Sequence, residues 1–577
     1  MAGLVLQAEK ITHMKSLYTS LVAVAASLSI QAQIVNITDA DLVGGTTYNW
    51  TNNNTYVVDG LVFVEEGAVL NIQEGTVIKF TEQQAGSASA LVICRGARIN
   101  AIGTPDAPII FTAQIDDVNN PTDLGPTDVQ LWGGLILLGK ATTEKNAAFE
   151  VAIEGIDSSE PRGLYGAPGN NPANFDDNDN SGELKYVSIR HTGFGLTSGS
   201  ELQGLTLGGV GRGTKLSFVD IYASSDDGIE IFGGTVDIKY FSVAFAEDDS
   251  YDFDEVWKGN GQFLFSIQRD DVADAGWEYD GSTPDDAPNY SAGKIFNFTH
   301  IGAGPGANAA NPIGLLIRAG GTVTAGNGIV AETKGKGIEI QDKNGNSTTD
   351  SYSRFQSGLT SILNNVFYNI GSNTTPDGSS TGVIRVTSNA DDATAGVFAT
   401  HFAATNTIAN PEFVSISRAQ NAQLDPRPSL TGAAYTTALA AYPSEPFFTP
   451  VSYKGAFSNA ANQCYIAKWT TLAKNGHLAS GLDWNGLDAG INEYNNVLNQ
   501  LSVFPNPSNG IVNLAYDSPK PVNVEIINLQ GQVVRSVNGL ASGIRTETIA
   551  VSDLAKGLYI VRFSNGENAF SQKLLVD

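Results

Sequence analysis

The chain has little of what stabilises or identifies many small proteins. Its 577 residues include only two cysteines, Cys94 and Cys464, so no disulfide framework holds the fold. Cys94 ends an apolar, strand-like run and is predicted to be a buried small residue. The five histidines form no cluster at metal-ligand spacing, and there is no nucleophile elbow, phosphate loop or dinucleotide fingerprint. These absences argue against a zinc module and against the enzymes that those motifs mark.

Positive charge is also scarce. Lysine and arginine number 33 against 60 aspartates and glutamates, which gives a formal net charge of −27 and a pI near 4.5. Because phosphate recognition needs a basic surface, nucleic acid is not expected as a partner, whereas cations are. The alternative is an acidic surface that only keeps an exported protein in solution. Beyond the N-terminal segment no apolar run reaches the ~20 residues that a membrane helix needs.

What the chain does have is a repeat. Between 216 and 271, an alternating apolar run precedes each of three aspartate pairs, and the pairs follow one another at intervals of 22 residues. The pairs are Asp226-Asp227, Asp248-Asp249 and Asp270-Asp271. Glycine, with 62 residues, marks the breaks between runs. A chain too long for one core that repeats strand and turn predicts an all-β parallel solenoid with little helix.

The N-terminus has the zones of a secretory signal peptide. Lys15 is followed by a mainly apolar run over 17–30 and by the small residue Ala32, so residues 1–32 are predicted to be removed. Met14 gives this signal a compact start and is predicted to be the true initiation residue. The mature chain is therefore expected to begin at Gln33.

Three motifs after Gln33 carry a family resemblance. They are Glu74-Gly75-Thr76-Val77-Ile78-Lys79-Phe80, Gly103-Thr104-Pro105-Asp106-Ala107-Pro108-Ile109 and Trp132-Gly133-Gly134-Leu135. In these motifs the chain resembles right-handed parallel β-helices of the pectate-lyase-like superfamily, especially large exported proteins of Bacteroidetes-type bacteria. The resemblance implies an architecture and no particular activity. We expect the β-helix to span 33–495, with a loop insertion at about 139–183 and an irregular region at about 400–495 that caps the open end.

Residues 496–577 form a distinct module. Its short alternating strands around Val524-Glu525-Ile526-Ile527 and Tyr559-Ile560-Val561 predict a small β-sandwich. From Val503-Phe504-Pro505-Asn506-Pro507 to the terminal Lys573-Leu574-Leu575-Val576-Asp577, it closely resembles the type A C-terminal sorting domain of the type IX secretion system. The resemblance implies handling by the type IX machinery, removal of the module, and release or attachment at the cell surface. An ordinary Ig-like binding module is the alternative.

Stacked coils would bring the aspartate pairs into one row. At one strand spacing, ~4.8 Å, like charges raise one another's pKa unless a cation or a basic side chain compensates them. Hard oxygen ligands favour Ca²⁺. We therefore predict a calcium site formed by Asp226, Asp227, Asp248, Asp249, Asp270 and Asp271. Glu230, Asp252, Asp254 and Glu255 enlarge the acidic field, and plain turn chemistry is the alternative.

A weaker calcium candidate lies in the insertion. Asp177, Asp179 and Ser181 imitate the first half of an EF-hand loop. The twelfth position is Ser188 instead of glutamate, and no helix pattern flanks the loop. A flexible acidic insertion is the alternative.

Aromatic and basic residues near the pairs complete the candidates. Four aromatic residues could stack on sugars or could pack as a ladder inside the coils: Trp257, Trp277, Tyr251 and Tyr279. Calcium-dependent polysaccharide lyases on the fold that the chain resembles use an arginine or lysine as base, which makes Arg269, Lys239 and Lys258 catalytic candidates. Each of the three could instead be the structural partner of an aspartate.

The sequence leaves three functions open. The first hypothesis is an exported surface protein that binds glycans or mediates adhesion and holds calcium as a structural ion. The second is a calcium-dependent polysaccharide lyase or a glycoside hydrolase on the same scaffold. The third is a structural surface-layer component. The fold alone cannot choose, because this architecture hosts both enzymes and binders.

Overall fold

The architecture comes from a computed structural model, which describes residues 33–82, 88–194, 201–285, 287–310, 312–343, 348–371, 382–388, 395–486, 501–504, 506–518, 520–528, 531–564 and 569–576. The predicted signal peptide and Met14 lie outside these residues. Within them, no helix combines the length and apolar character that crossing a lipid bilayer requires.

Short strands separated by turns make up most of the chain up to residue 428. In chain order they are β1 (Gln33–Ile37), β2 (Thr47–Trp50), β3 (Asn54–Val58), β4 (Leu61–Val64), β5 (Val69–Ile72), β6 (Val77–Phe80), β7 (Ala90–Ile93), β8 (Arg98–Ile102), β9 (Ile109–Ala113), β10 (Leu135–Leu138), β11 (Glu150–Ala152), β12 (Leu164–Gly166), β13 (Gly182–Thr192), β14 (Leu205–Gly208), β15 (Lys215–Ser224), β16 (Ile229–Phe232), β17 (Ile238–Ala244), β18 (Tyr251–Asp254), β19 (Asn260–Ile267), β20 (Trp277–Asp280), β21 (Ala292–Ile301), β22 (Leu315–Arg318), β23 (Thr322–Gly326), β24 (Ile329–Ala331), β25 (Ile338–Asp342), β26 (Ser361–Leu363), β27 (Val366–Tyr368), β28 (Ile384–Ser388), β29 (Thr407–Ile408), β30 (Phe413–Ser415) and β31 (Asp425–Pro428).

Helices are few and short. They are α1 (Ser351–Gln356), α2 (Ala395–Thr405), α3 (Ala433–Thr436) and α4 (Thr471–Lys474), with single 3₁₀ turns at Asp39–Asp41, Pro161–Gly163, Pro168–Asn170 and Pro172–Asn174. The proline-rich turns and the β11–β12 hairpin fall within the predicted insertion.

The coil strands form two parallel sheets. Sheet I runs β4-β7-β10-β14-β16-β18-β20-β22-β25-β28, and sheet II contains the other coil strands. In sheet II, β13 pairs with β8 through its first half and with β9 through its second half, so the long strands turn a corner that the early coils make with separate strands. Each coil therefore contributes one strand to sheet I and one bent strand, or two short ones, to sheet II. The predicted parallel β-solenoid is confirmed.

The corner of sheet II carries a stack of aromatic rings. Tyr186, Phe218, Tyr240 and Phe263 all have positive φ, between 51° and 61°, which side-chain-bearing residues adopt only at a cost. Their rings stack on successive coils with centroids 4.5, 4.6 and 5.0 Å apart. Stacking of this kind offsets part of the backbone cost and keeps the corner at the same place in each coil.

Residues 411–486, here called the return segment, run back along the outside of sheet II. The Ala440 N–H donates to Asn327 Oδ1 at 2.7 Å, the Tyr465 hydroxyl to the Phe241 carbonyl at 2.8 Å, and the Trp484 indole N–H to the Tyr186 hydroxyl at 3.0 Å. The prediction that this region caps the open end was wrong for these residues. The interior is closed near its end by α2 instead, where buried Phe398 and Phe402 pack beside Phe355 and Phe367.

The C-terminal module is an antiparallel β-sandwich. Its strands are β32 (Leu501–Phe504), β33 (Ile511–Ser518), β34 (Val522–Asn528), β35 (Val533–Leu540), β36 (Gly543–Ala550), β37 (Gly557–Ser564) and β38 (Ala569–Val576). One sheet has the order β32-β33-β36 and the other β35-β34-β37-β38. Buried side chains from both sheets, including Val512, Leu514, Val524, Ile526 and Phe563, form a core of their own.

Candidate metal site on sheet I

Three neighbouring strands of sheet I alternate apolar and acidic residues. They read Ile-Glu-Ile-Phe in β16, Tyr-Asp-Phe-Asp in β18 and Trp-Glu-Tyr-Asp in β20. Because successive side chains of a strand point to opposite faces, the apolar residues fill the interior and the acids lie outside. The register places Glu230 opposite Asp252 and Asp252 opposite Glu278. Carboxylates therefore form a row across three coils.

A second acidic row lies in the turns before these strands. β16 and β18 are offset by 22 residues, so Asp226 and Asp227 lie beside Asp248 and Asp249, as predicted from the spacing. β18 and β20 are offset by 26 residues, so the next rung is Asp274. The predicted third pair, Asp270 and Asp271, was wrong, because the coil that follows is longer and places these residues in a loop.

Three sets of carboxylate oxygens converge where the two rows meet. In each set the oxygens lie within 4.8 Å of one another, and the sets are Asp226, Asp227 and Asp248; Asp227, Glu230 and Asp252; and Asp248, Asp249 and Asp274. We call these seven residues the acidic window. Asp227 and Asp248 each belong to two sets, so the window is one continuous group of ligands.

The inner part of the window is withdrawn from water. Glu230 is only 6% exposed, and no hydrogen bond or ion pair to its carboxylate is present among the residues that the structure describes. The Asp252 Oδ1 atom is also buried without a hydrogen-bond partner. Asp227 accepts one hydrogen bond, from the Asp249 N–H at 2.9 Å. Buried polar atoms are normally satisfied, so the unpaired Asp252 Oδ1, which lies in one set with Glu230, supports a ligand at this point of the window.

Crowding raises the pKa values of the window. Burial, and next the Asp248 carboxylate, raises the pKa of Asp226 to about 7. Burial and the neighbouring carboxylates raise the pKa values of Asp227, Glu230, Asp249 and Asp252 well above the ordinary range. The site must therefore hold protons or cations near neutral pH.

Elsewhere on sheet I, acids are paired with arginines. On β28, Arg385 Nε donates to Glu339 Oε2 of β25 at 2.7 Å. On β22, Arg318 Nε donates to Asp280 Oδ1 of β20 at 2.9 Å, and its Nη2 pairs with Glu278. Within the described residues, no lysine or arginine forms such a pair with the acidic window.

The insertion closes one side of this face. Lys145 Nζ lies 2.7 Å from Oε1 of Glu255, which is fully buried at the end of β18, and the Tyr165 hydroxyl donates to Oε2 of the same residue. Glu255 and Val256 both have positive φ, 48° and 81°. Two consecutive left-handed residues mark a strained turn that the contacts with the insertion hold in place.

The residues of the weaker calcium candidate are engaged in hydrogen bonds of the insertion. Asp177 Oδ1 accepts the Thr142 N–H at 2.9 Å and the Thr142 hydroxyl at 2.8 Å, and Asp179 Oδ2 accepts the Lys140 N–H at 3.3 Å. Ser181 is buried, with its N–H bonded to Thr214 Oγ1. These hydrogen bonds fasten the insertion to itself and to the coils.

The predicted sugar platform was also wrong. Trp257, Trp277, Tyr251 and Tyr279 are at most 1% exposed. Tyr251 stacks on Trp277 at 4.1 Å inside the solenoid, and Phe253 stacks on Trp257 at 4.4 Å and on Tyr279 at 5.0 Å. The alternative interpretation, an internal packing ladder, is confirmed.

None of the three predicted bases reaches the acidic window. Arg269 lies 2.7 Å from Glu247 Oε1 and 2.6 Å from Asp271 Oδ2. It is therefore the structural partner of an aspartate of the predicted third pair. Lys239 lies on sheet II, where its Nζ donates to the Phe447 carbonyl at 2.7 Å. Burial lowers the pKa of Lys258, and the acids that act against this fall are Asp177 and Glu144, which do not belong to the window.

Sequence reasoning missed Asp274, Glu278 and Arg318. The alternation of aromatic and acidic residues in 251–254 recurs in 277–280, and aligning the two segments would have revealed the 26-residue coil. Nothing local in the sequence marks Arg318 as the partner of Glu278, since a loop of variable length separates their strands.

Comparison with known proteins agrees with this architecture. A family model described as a pectate-lyase-like beta helix domain matches residues 44–410, and the chain belongs to this family. A second model, the secretion system C-terminal sorting domain, matches residues 502–577. The protein is thus a type IX secretion substrate with a β-helix, delivered to the cell surface or the extracellular space.

Two further comparisons add little. No curated protein matches the chain. Among solved structures, the enzymatically active domain of tailspike protein 2 from bacteriophage CBA120 aligns over 90% of this chain and 72% of its own, with 9% identity and a TM-score of 0.21. A score of that size supports no argument about function.

Proposed function

We propose that this exported β-helix protein binds divalent cations, foremost Ca²⁺, in the acidic window and uses them to hold acidic glycans at the cell surface. One observation carries the proposal. On later coils of sheet I, Arg318 and Arg385 pair with the acids Glu278, Asp280 and Glu339, whereas no lysine or arginine among the described residues pairs with the seven acids of the window. A fold that supplies arginines on neighbouring coils has left this position without one.

The ligand set favours calcium over other cations. All the converging groups are carboxylates, the hard oxygen ligands that Ca²⁺ and Mg²⁺ prefer, and no histidine or cysteine belongs to the sets. Ca²⁺ accepts many oxygens in irregular geometry, which suits overlapping sets on a sheet. Mg²⁺ demands a near-octahedral shell and keeps its waters.

The glycan part of the proposal follows from the charge and the position of the window. An acidic face repels acidic polymers unless bound cations reverse its local charge. Asp248 and Asp274 form the exposed edge of the window, so a cation held there can also contact an acid group of a sugar. No aromatic platform supports this contact, and binding should therefore depend on the cation.

Thermal unfolding with and without Ca²⁺ tests the cation site. Calcium should raise the melting temperature of the wild type, since a ligand at 100 times its Kd stabilises by about 2.7 kcal/mol. The double variant Glu230→Gln with Asp252→Asn should lose most of that response. Glu339→Gln is the matched control, because Glu339 lies in the same row of sheet I but is paired with Arg385.

Retention of acidic polysaccharides by the immobilised protein tests the glycan step. Binding should need Ca²⁺, should be reversed by a chelator and should be lost in the double variant. A double variant that responds to calcium as the wild type does would refute the cation site. Polysaccharide binding that ignores chelation would refute the bridging role alone.

Glycoside hydrolysis is a second candidate, favoured by the carboxyl groups themselves. Burial and the neighbouring Asp280 raise the pKa of Glu278 to about 8, against the effect of the Arg318 guanidinium that pairs with it. A glycosidase requires one protonated and one ionised carboxyl group, and neighbouring carboxyl groups can divide these two roles. Release of reducing ends from the same polysaccharides would favour hydrolysis over binding, and unsaturated products would instead indicate a lyase.

A further inference from the structure

The acidic window repeats itself along the solenoid, and the repeat is incomplete. Moving each member of the inner set Asp227, Glu230 and Asp252 to its register partner on the next coil gives Asp249, Asp252 and Glu278. All three positions of the second set are again acidic. Yet, among the described residues, only the first set brings its oxygens within 4.8 Å of one another.

Arg318 accounts for the difference between the two sets. It lies on β22, opposite Asp280 in the register, and it binds both acids of β20: Nε donates to Asp280 Oδ1 at 2.9 Å and Nη2 pairs with Glu278. One coil earlier, the residue in the position of Arg318 is Asp280 itself. The first set therefore faces another acid where the second set faces a guanidinium.

Asp252 and Glu278 of the second set lie opposite each other in the register. After burial, the carboxylate that most strongly raises the pKa of both Asp249 and Asp252 is Glu278. The Arg318 side chain is 45% exposed, whereas that of Glu278 is 6% exposed, so the guanidinium approaches from solvent and covers the acid. A divalent cation would need the same oxygen.

We propose that Arg318 acts as a built-in counterion that fills the second inner set, so that along the inner row of strand carboxylates divalent cations bind only as far as β18. The inference rests on the proposed cation site and adds what limits its extent. Without the guanidinium, Asp249, Asp252 and Glu278 should take up one further divalent cation. Conversely, an arginine placed one coil earlier should fill the first set and exclude a cation from it.

Equilibrium dialysis of the purified full chain against Ca²⁺ tests this by counting bound ions. Arg318→Gln should bind one Ca²⁺ more than the wild type, and Asp280→Arg should bind one fewer. Arg385→Gln is the matched control, because Arg385 also pairs with a glutamate of the preceding strand but has no acidic set beside it. It should leave the number of bound ions unchanged.

The outcomes separate this inference from the cation site itself. An unchanged number in Arg318→Gln, or an equal gain in Arg385→Gln, would overturn the role of Arg318 while leaving the site intact. If Arg318→Gln does not fold, Asp280→Arg decides, and a wild-type number of ions in that variant overturns the proposal. A wild type that binds no Ca²⁺ beside an Arg318→Gln variant that binds one supports the role of Arg318 and refutes the proposed function. No binding by either protein refutes both.

Discussion

The outer surfaces of the two sheets differ in what covers them. On sheet II the return segment covers the surface, and Oδ2 of the fully buried Asp220 accepts hydrogen bonds from the Thr471 N–H and hydroxyl at 2.8 Å and from Ser188 Oγ at 2.9 Å, while its Oδ1 has no hydrogen-bond partner in the described part of the chain. On sheet I the carboxylate of Glu230 is almost as buried and has no such partner among the described residues. Both residues lie on consecutive strands of the chain, Asp220 on β15 and Glu230 on β16. The difference therefore lies in what covers each face, since the return segment supplies partners to Asp220 on sheet II and no described residue supplies one to Glu230 on sheet I.

The largest loss of stability should come from disrupting the packing of the return segment on sheet II. Trp469 is fully buried, its indole N–H donates to the Tyr465 carbonyl at 2.6 Å, and its ring lies edge-on to Tyr186 at 5.4 Å. Trp469→Ala should cost about 3–5 kcal/mol of unfolding free energy, because it leaves a cavity between the return segment and sheet II. Chemical denaturation measures the loss. Leu430→Ala, at a site 61% exposed on the same segment, is the control and should be nearly neutral. A loss below about 1 kcal/mol for Trp469→Ala would show that the segment is not an integral part of the fold.

A smaller effect should come from the acids of sheet I, as a dependence of the stability on pH. Burial and like charges raise the pKa of Asp226 to about 7 and that of Asp254 to about 8, from 3.8. Between the ordinary and the raised pKa values the folded chain binds more protons than the unfolded chain, so its stability falls as the pH rises from about 4 to about 8. Calcium binds the deprotonated carboxylates and should remove most of this fall.

Melting temperatures recorded from pH 5 to pH 9, in chelator and in Ca²⁺, would check this pH dependence. The two curves should separate as the pH rises. A melting temperature in chelator that stays level or climbs between pH 5 and pH 8 would contradict the raised pKa values, whatever the effect of calcium.

The smallest effect should come from Asp270 and Asp271, the predicted third pair, which the longer coil places in a loop. Asp271 is half exposed and paired with Arg269, which lowers its pKa. Asp271→Asn should change the stability by less than about 1 kcal/mol, as is usual for an exposed ion pair. It should leave the calcium response of the melting temperature untouched. A lost calcium response would return Asp270 and Asp271 to the site.

The parts of the site that follow a fixed period could be predicted from the sequence. Asp226 and Asp248 were placed side by side because their coils differ by 22 residues, and the fold follows from the same repetition. Asp274 was missed because the next coil adds four residues, and loop length in a solenoid varies without disturbing the stack. The inward direction of Tyr251 and Trp277 could have been inferred, since residues that alternate with acids in a strand must face the other side.

Other parts of the structure have no local signal. The contact between Thr471 and Asp220 joins positions 251 residues apart, and neither residue type nor spacing announces it. The return segment was accordingly expected at the open end, where an exposed edge needs covering. The observed location satisfies a different need, since the aromatic corner of sheet II would otherwise be exposed along several coils.

The path of the return segment bears on how this molecule responds to mechanical load. In a simple stack each coil touches only its neighbours, so unwinding can begin at a free end and proceed coil by coil. Here Trp484 is hydrogen-bonded to Tyr186 and Ala440 to Asn327. The return segment therefore links early and late coils to each other. Tension applied from the C-terminal side must first break the contacts between the return segment and sheet II before it can unwind the last coil. The coils of this β-helix are therefore held against fraying by contacts that lie outside the stack itself.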